Sequence, residues 1–449
     1  MKRQQQKQKS FKLQNIKQSR KKDLLDFDNL YGKRVTVMGL GLLGGGVEVV
    51  KWLVEKRSNV LVTDLKTKKQ LKTSLEKLKG LNVKYVLGKH RQQDFVNADL
   101  IIKNPGVRRD SSFLRIAQKN KIQIESDLSL FFRLFKGKII GVTGTKGKST
   151  TVSLLAHILK TAKKKFIFGG NIGQSPLNYL NKKYSLALLE LSSWQLGDMA
   201  HLKKSPQIAC ITTIFPDHLD TYKNFQEYIN AKKLIFKYQT KKDFLILNVD
   251  NQIVKKFAKE TKAKVKYFSQ KKRKHSSENI LAARATALVL KIPLVTIEKS
   301  LKTFKGVPNR LEFVREKNGV KYYNDSTSTV PQSTILALEL LGDQKNIILI
   351  SGGADKQLDF RKMSKIISKK CRALILLPGT ATTKIEKELR IINYELKMKA
   401  GDMEEAVSLA NKISEKGDIV LLSPGCASFG IFQNAYHRAD QFIRAVKYL

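Results

Sequence analysis

The segment that most constrains the fold of this chain is the glycine-rich run Gly141–Thr151, which reads GVTGTKGKSTT. It follows an apolar run typical of a β-strand and precedes a run of helical character. A strand, a glycine-rich turn and a helix in this order cradle a nucleotide phosphate, because glycines let backbone N–H groups approach the oxygens and the helix N-terminus adds positive partial charge. By position, Lys148 is expected to reach the β- and γ-phosphates and Ser149 to hold Mg²⁺. Val142 stands where the strict P-loop spacing has glycine, so the segment predicts a variant of that loop.

Length and composition limit the class of protein. A chain of 449 residues should hold two or three domains, each able to bury its own core. Apolar residues make up 42% of the chain and no apolar run approaches a membrane span, which predicts a soluble globular protein. The three cysteines, Cys210, Cys371 and Cys426, form no C-x-x-C pair, which argues against a zinc site or a disulfide framework and favours a cytoplasmic location.

The charge balance is strongly basic, with 85 Lys and Arg against 38 Asp and Glu and a formal net charge of +47. Such a charge attracts polyanions, so a basic nucleic-acid-binding P-loop protein is one alternative. The basic residues, however, are spread along the whole chain and no nucleic-acid-binding motif accompanies them. We therefore expect no specific nucleic-acid partner. Residues 1–28, rich in Lys, Arg and Gln, are expected to form a flexible arm.

Another glycine-rich loop, Gly39–Gly44, comes earlier in the chain and lies between the predicted strands Arg34–Met38 and Asn59–Asp64. It completes a G-x-G-x-x-G pattern, and Asp64 falls where a ribose-binding acid lies in a dinucleotide fold. An NAD-dependent enzyme is therefore another alternative. The chain before the phosphate loop is too short for both halves of a full dinucleotide domain, so a single Rossmann-like half binding a UDP-type nucleotide fits better.

Beyond the phosphate loop, strands alternate with helices, which predicts a parallel sheet with ligands at the carboxyl ends of its strands. The predicted strand Leu186–Glu190 ends in a carboxylate, and the strand at 207–214 is followed by His218. Ser149, Glu190 and His218 are thus expected on one rim of the sheet. A hydroxyl, a carboxylate and an imidazole can together hold Mg²⁺ around a triphosphate.

Five motifs in order give the chain its family resemblance. They are Thr143–Ser149, Glu190–Gln195, Asp217–Tyr222, Gly352–Lys356 with Asp359–Phe360, and Ser423–Ser428. With them the chain resembles the Mur ligases of peptidoglycan synthesis from about Arg34 to its C-terminus. The segment Glu190–Gln195, which reads ELSSWQ, is similar to the glutamate-adding branch and unlike the branches that add alanine, a diamino acid or a dipeptide.

The resemblance implies an α/β protein of three domains beyond the arm. It implies a Rossmann-like UDP-binding domain at 29–126, a central P-loop ATPase domain with a parallel sheet at 127–305, and a Rossmann-like C-terminal domain at 306–449. It also implies the reaction: ATP phosphorylates the carboxylate of UDP-N-acetylmuramoyl-L-alanine, and the amine of glutamate, with the D-isomer favoured, attacks the acyl phosphate. The implied cofactors are ATP and Mg²⁺, and we expect a monomer.

Site residues follow from the resemblance by matching position. The implied ATP-binding residues are Gly144, Thr145, Lys146, Gly147, Lys148, Ser149, Thr150, Asn279, Arg310 and Asp325. The implied metal ligands are Ser149, Glu190, His218 and a carbamylated Lys232. The implied catalytic residues are Lys148, His218 and Lys232. The implied UDP-substrate contacts are Gly41, Leu42, Leu43, Thr63, Asp64 and Asn171. The implied glutamate contacts are Thr329, Lys356 and Ser428. Without the resemblance, Lys232 would be one lysine among many on a solvated helix.

Several positions depart from the family pattern. Lys146, Ser276 and Asn309 replace Asn, Asn and His of its nucleotide motifs. The segment from Asp325 to Pro331 reads DSTSTVP in place of D-S-K-A-T-N, and Ala435 stands where an aromatic residue often packs. These changes leave the ATP chemistry intact but leave the amino acid open, because a related branch that joins L-glutamate has a similar D-S-x-[AS]-T-x-P pattern.

Overall fold

The structure is a computed structural model, and it describes residues 25–42, 44–172, 175–216, 222–270, 277–342, 344–355, 357–392, 394, 397–428 and 431–449. The predicted site residues Leu43, His218 and Lys356 lie outside the described residues, as does most of the predicted arm.

The first sheet consists of five parallel strands in the order β3-β2-β1-β4-β5. Its strands are β1 Arg34–Met38, β2 Asn59–Asp64, β3 Val83–Leu87, β4 Leu100–Lys103 and β5 Gln123–Glu125. The helices of this region are α1 Gly45–Glu55, α2 Lys72–Glu76, α3 Gln92–Val96, α4 Ser112–Lys119 and α5 Asp127–Leu134. The apolar runs of β1 and β4 are almost wholly buried, as expected for central strands of a parallel sheet.

The second sheet has six parallel strands in the order β11-β10-β9-β6-β8-β7. Its strands are β6 Lys138–Thr143, β7 Ile167–Gly170, β8 Leu186–Glu190, β9 Ile208–Ile211, β10 Phe244–Asn248 and β11 Lys264–Phe268. The helices are α6 Lys148–Thr161, α7 Ser193–Asp198, α8 Phe225–Lys233, α9 Gln252–Lys256, α10 Glu278–Val289 and α11 Leu294–Thr303. Short 3₁₀ helices occupy Pro176–Tyr179, Ala200–Leu202 and Phe257–Lys259.

The third sheet has six strands in the order β12-β13-β17-β14-β15-β16, and β12 alone is antiparallel to its neighbour. Its strands are β12 Glu312–Lys317, β13 Val320–Asn324, β14 Ile347–Gly352, β15 Cys371–Leu377, β16 Lys397–Lys399 and β17 Ile419–Leu422. The helices are α12 Pro331–Leu341, α13 Arg361–Lys370, α14 Thr380–Ile391, α15 Met403–Ile413 and α16 Ala435–Tyr448. The three successive α/β sheets confirm the predicted fold class.

The core of the second sheet fixes the start of α6 at the end of β6. Val152, Leu155 and Ile158 on α6 are fully buried in one cluster with Ile140 of β6 and Leu188 of β8. Each such side chain contributes about 1.5–3 kcal/mol by leaving water. The apolar face of α6 therefore anchors the loop that precedes it.

The described chain forms two compact units. One consists of residues 25–137, 175–185 and 194–204, and the other of residues 138–172, 186–193 and 205–449. The predicted domain boundaries at 126, 305 and 306 stay predictions. No helix in the described ranges is long and apolar enough to cross a membrane. Cys210, Cys371 and Cys426 are buried, and burial raises the pKa of Cys210 to about 12.

Candidate nucleotide and metal site

The predicted phosphate loop lies between β6 and α6, as the sequence indicated. Two of its glycines are required by space and backbone conformation. A Cβ on Gly144 (φ 153°) would lie 1.9 Å from Thr212 Oγ1, and one on Gly147 (φ 84°) would lie 2.3 Å from Asn279 Oδ1. Gly147 is the N-cap of α6 and has no side chain with which to cap that helix. The N-cap residue therefore does not compete with an anion for the backbone N–H groups of the first turn.

Two threonines after β9 hold the loop from the other side, and sequence reasoning missed both. Thr212 Oγ1 donates to the carbonyl of Lys146 at 2.6 Å, and the carbonyl of Thr213 accepts from Thr145 N at 2.6 Å. The strand β9 ends at Ile211, before the predicted end at 214, and the two threonines that follow it bond to the phosphate loop. A polar pair directly after a buried apolar strand was the available signal.

Two lysine side chains converge on a carbonyl of the loop. Lys148 Nζ donates to Gly144 O at 2.8 Å and to Thr145 O at 3.0 Å, and Lys232 Nζ donates to Gly144 O at 2.9 Å. Lys232 is 1% exposed, and its Nζ lies 4.7 Å from the centre of the Tyr228 ring. Two cations at one oxygen make the loop electropositive, which suits a triphosphate. Burial of Lys232 contradicts the solvated-helix reading of that residue.

Glu190 ends β8 beside the loop, paired with Val142 of β6 and Gly170 of β7. Its side chain is buried, and Oε1 accepts from Asn171 Nδ2 at 2.8 Å. Oε2 is buried and has no hydrogen-bond partner in the described part of the chain. A buried carboxylate oxygen without a partner is costly, and a divalent cation would offset that cost. The donor chemistry of Glu190 therefore fits Mg²⁺.

Of the other predicted metal ligands, the structure describes Ser149 and Lys232, whereas His218 is outside the described residues. Ser149 is buried in the first turn of α6, as expected for a hydroxyl ligand. Among the described residues no group of three or more His, Cys, Asp or Glu could hold a metal ion. The predicted magnesium site does not require such a group. Its ligands would be the hydroxyl of Ser149, the carboxylate of Glu190, a carbamylated Lys232 and His218, and His218 lies outside the described residues.

The remaining predicted ATP contacts differ in exposure. Asn279, at the start of α10, packs on Gly147, and its Oδ1 accepts from Thr151 Oγ1 at 3.4 Å. Arg310 is exposed and forms a β-bridge with Val307. Lys146 is exposed and Thr150 half-buried at the loop. Contact of any of these residues with ATP stays a prediction.

Asp325 is a buried junction of three segments. Its Oδ2 accepts from Ser328 Oγ at 2.5 Å and from Ser423 Oγ at 2.7 Å, and its Oδ1 accepts from Leu311 N at 3.2 Å. Burial raises the pKa of Asp325, although these hydrogen bonds and the charge of Arg310 oppose the rise. The carboxylate thus joins loops of the third sheet, and its predicted contact with ATP is untested.

The two predicted glutamate contacts that the structure describes, Thr329 and Ser428, lie on loops after two adjacent strands. Thr329, half-buried, follows β13, and Ser428, 5% exposed, follows β17. Arg438 of α16, which sequence reasoning missed, connects the two loops. Its Nη2 donates to Ser326 O at 2.8 Å and, with Nη1, to Cys426 O at 3.4 Å. Burial lowers the pKa of Arg438 to about 10.

Tyr436, next to Arg438 on α16, lies within the electrostatic reach of the second sheet. Burial raises the pKa of Tyr436, the charge of Glu190 raises it further, and the charge of Arg310 lowers it. Burial and the charge of Glu190 therefore both favour the neutral phenol of Tyr436.

The glycine-rich loop after β1 donates backbone hydrogen bonds to the side chain of Asp64. Asp64, at the end of β2, is buried, and its Oδ2 accepts from Leu40 N at 2.9 Å and Gly41 N at 3.1 Å. Its Oδ1 accepts from Lys66 N at 2.8 Å. Thr63 is fully buried, and its Oγ1 lies 2.7 Å from His90 Nδ1. Both oxygens of Asp64 thus bind backbone amides, and its predicted contact with the UDP-substrate stays a prediction.

A parallel sheet with a phosphate-type loop, followed and preceded by further α/β sheets, defines a multidomain nucleotide-binding fold. Three family models match the chain in order: the N-terminal domain of MurD-like Mur ligases over residues 33–126, the Mur ligase middle domain over 142–302, and the glutamate ligase domain of Mur ligases over 309–426. The chain belongs to the Mur ligase family.

Curated relatives are similar over nearly their whole length. A protein from Roseiflexus sp. (strain RS-1) is 38% identical over 93% of this chain and 99% of its own. One from Borreliella afzelii (strain PKo) is 39% identical over 94% of this chain and 99% of its own. Both carry the name UDP-N-acetylmuramoylalanine–D-glutamate ligase. These names agree with the predicted activity.

Solved structures of the family share the fold at lower identity. UDP-N-acetylmuramate-alanine ligase MurC from Thermotoga maritima superposes with a TM-score of 0.62 at 18% identity, over 93% of this chain and 99% of that one. MurF ligase from Thermotoga maritima, solved in complex with ADP, superposes with a TM-score of 0.52 at 17% identity, over 95% and 97% of the two chains. This likeness confirms the fold.

Proposed function

We propose that this chain is an ATP-dependent ligase that joins D-glutamate to UDP-N-acetylmuramoyl-L-alanine. Relatives of 38% and 39% identity that are named as D-glutamate ligases support the choice of substrate and isomer. The observation that carries the chemistry is Glu190, a buried carboxylate with an orphaned oxygen at the rim that also holds the lysine-lined loop.

The chemistry requires activation of a carboxylate. A carboxylate oxygen leaves poorly, so transfer of the γ-phosphoryl group of ATP to it makes phosphate the leaving group when the glutamate amine attacks the carbonyl carbon. The chain's part is to place the phosphates and to stabilise charge. Lys148 and the N-terminal end of α6 supply positive charge where the phosphoryl group transfers.

A divalent cation fits the same rim. Ser149, Glu190, His218 and a carbamylated Lys232 would hold Mg²⁺, which supplies charge neutralisation of the triphosphate when bound. Carbamylation would also turn the buried ammonium of Lys232 into an anionic ligand.

The two substrates are assigned to the flanking regions. We place the UDP group at Gly41, Leu42, Leu43, Thr63 and Asp64, and the incoming glutamate at Thr329, Lys356 and Ser428. The internal bonds made by Arg438 and Asp325 support the second placement, because they fix the loops that carry Thr329 and Ser428. A cytoplasmic location, a monomeric state and the domain boundaries stay predictions from the sequence.

One assay tests this function: ADP formation with UDP-N-acetylmuramoyl-L-alanine, ATP and Mg²⁺, in parallel reactions with D- and L-glutamate. We expect turnover with the D-isomer and little with the L-isomer. Turnover with L-glutamate alone would support the second candidate, which rests on the DSTSTVP segment. No turnover with either isomer, together with tight salt-sensitive RNA binding or NAD binding, would overturn the proposal.

A further inference from the structure

Asn171 holds one oxygen of the carboxylate that the proposed function needs. Its side-chain Nδ2 donates to Glu190 Oε1 at 2.8 Å, and its backbone N donates to Glu190 O at 2.8 Å. One residue therefore bonds both the main chain and the side chain of Glu190. This double contact defines where the Glu190 carboxylate lies.

The neighbouring glycine makes the double contact possible. Gly170 ends β7 opposite Glu190 with a φ of 96°, and a Cβ there would lie 2.1 Å from Glu190 O. Any other residue would push β7 away from the end of β8. Gly170 therefore brings Asn171 within reach of the carboxylate, and the sequence GGN at 169–171 reflects that close approach.

The consequence is an asymmetric carboxylate. Oε1 has a neutral amide donor, whereas Oε2 is buried and has no hydrogen-bond partner in the part of the chain that the structure describes. The terminal torsion of a glutamate is broad, so its carboxylate plane is not fixed by the side chain alone. The amide of Asn171 fixes that plane by binding one oxygen and leaves the other, Oε2, available to a cation.

We propose that Asn171 is a positioning residue for the divalent cation, acting through Glu190, and that this is its main role in the reaction. The inference rests on the proposed function and differs from the sequence expectation that Asn171 contacts the UDP-substrate. Partners that orient metal-ligating carboxylates from behind typically affect metal affinity by 10- to 100-fold. A substrate contact would instead change the KM for the UDP-substrate.

The test compares Asn171→Leu, which keeps the approximate shape and removes the amide, with wild type and with Asn230→Leu. Asn230 is an exposed asparagine of α8 whose Oδ1 accepts from Gln226 Nε2, and it is a matched control. Mn²⁺ is the probe, and electron paramagnetic resonance of free Mn²⁺ gives its Kd for the protein. Glu190→Gln serves as the reference for loss of the ligand, and Asn171→Gln as the conservative variant that keeps an amide.

For Asn171→Leu we expect the Mn²⁺ Kd and the Mg²⁺ concentration for half-maximal rate each to rise about 10-fold or more. The KM for UDP-N-acetylmuramoyl-L-alanine should stay within about twofold of wild type. Asn171→Gln should lie between Asn171→Leu and wild type, and Asn230→Leu should match wild type. Thermal unfolding shows whether Asn171→Leu has a folding defect. If it has, the test is made with Asn171→Gln alone, from its Mn²⁺ Kd and its Mg²⁺ concentration for half-maximal rate.

Two outcomes overturn the inference. An unchanged Mn²⁺ Kd and an unchanged Mg²⁺ requirement in the Asn171 variants would show that the amide does not act through the cation. A raised KM for the UDP-substrate with normal metal binding would assign Asn171 to substrate contact. If wild type binds Mn²⁺ and shows the Asn171 effect but turns over no glutamate, the proposed function fails and this inference stands.

Discussion

The two glycine-rich loops occupy equivalent places, between a central strand and the next helix, and differ in charge. Both helices begin at a left-handed glycine without a side-chain cap, Gly44 for α1 and Gly147 for α6. The loop after β1 binds an internal anion, because Asp64 accepts from two of its amides. The loop after β6 instead has two lysine ammonium groups on its carbonyls.

The difference shows that a glycine pattern specifies backbone shape and leaves the charge to residues elsewhere. Lys232 lies 88 residues after Gly144, and Asp64 lies 24 residues after Leu40. A loop whose amides already bind a carboxylate has less capacity for phosphate, whereas a loop lined by cations favours it. The second loop is therefore the stronger candidate for triphosphate binding, although both satisfy the same strand–turn–helix description.

The largest expected effect comes from removing the loop lysine of the second loop. Lys148→Ala should lower ADP formation with UDP-N-acetylmuramoyl-L-alanine by about 10³-fold, because charge on the transferring phosphoryl group loses its cation. Lys160→Ala, at the exposed end of the same helix, is the matched control and should retain activity. Retention of most activity by Lys148→Ala would remove the distinction between the loops.

The second-largest expected effect on the rate comes from replacing the buried lysine of α8, Lys232. Lys232→Ala should lower the rate by about 10²-fold, and added short carboxylates such as acetate should restore part of it by replacing the carbamate. Lys233→Ala, which loses a pair with Glu260 and lies one position away, should have a small effect. Rate measurements across a series of carboxylate concentrations check the rescue, and a complete lack of rescue would count against carbamylation.

The third prediction concerns the stability of the loop after β1. Asp64→Ala leaves the amides of Leu40 and Gly41 without their acceptor, a cost of about 3 kcal/mol. Hydrogen exchange followed by mass spectrometry should show these amides exchanging on the order of 100-fold faster. Asp110→Ala, which removes an exposed carboxylate paired with Arg108, is the control. Unchanged protection of Leu40 and Gly41 would mean that Asp64 does not close the loop.

The smallest expected effect is a pH dependence of the free energy of unfolding that arises from His90, close to the loop after β1. Burial lowers the pKa of His90, which contacts Thr63, and the charges of Asp64 and Asp94 oppose that shift. As pH falls below about 6.5, the unfolded chain binds a proton that folded His90 resists, so stability decreases toward acid pH. NMR titration, with His90→Asn to assign the resonance, should give a pKa below the ordinary value. A raised pKa would instead mean that His90 adds to the stability of the folded protein at acid pH.

Local sequence signals determined much of the fold. The strands Arg34–Met38, Asn59–Asp64 and Leu186–Glu190 have the bounds that their apolar runs predicted. These segments are buried parallel strands, so apolar character and flanking turns specify them without information from distant parts of the chain. The second loop and the carboxylate at the end of β8 were predictable for the same reason.

What only the tertiary structure decided is which distant side chains meet at the loops. Arg438 left no local signal, because only the packing of its helix brings it to the loops after β13 and β17. Thr212 and Asn171 stand beside local signals, but the sequence did not show which segment each would contact. The same holds for the buried state of Lys232, which the sequence presents as one of many lysines. Hydrogen bonds and charge interactions act over a few ångströms in space, whatever the separation along the chain, and so the sequence determined the loops while the packing of the sheets determined their chemistry.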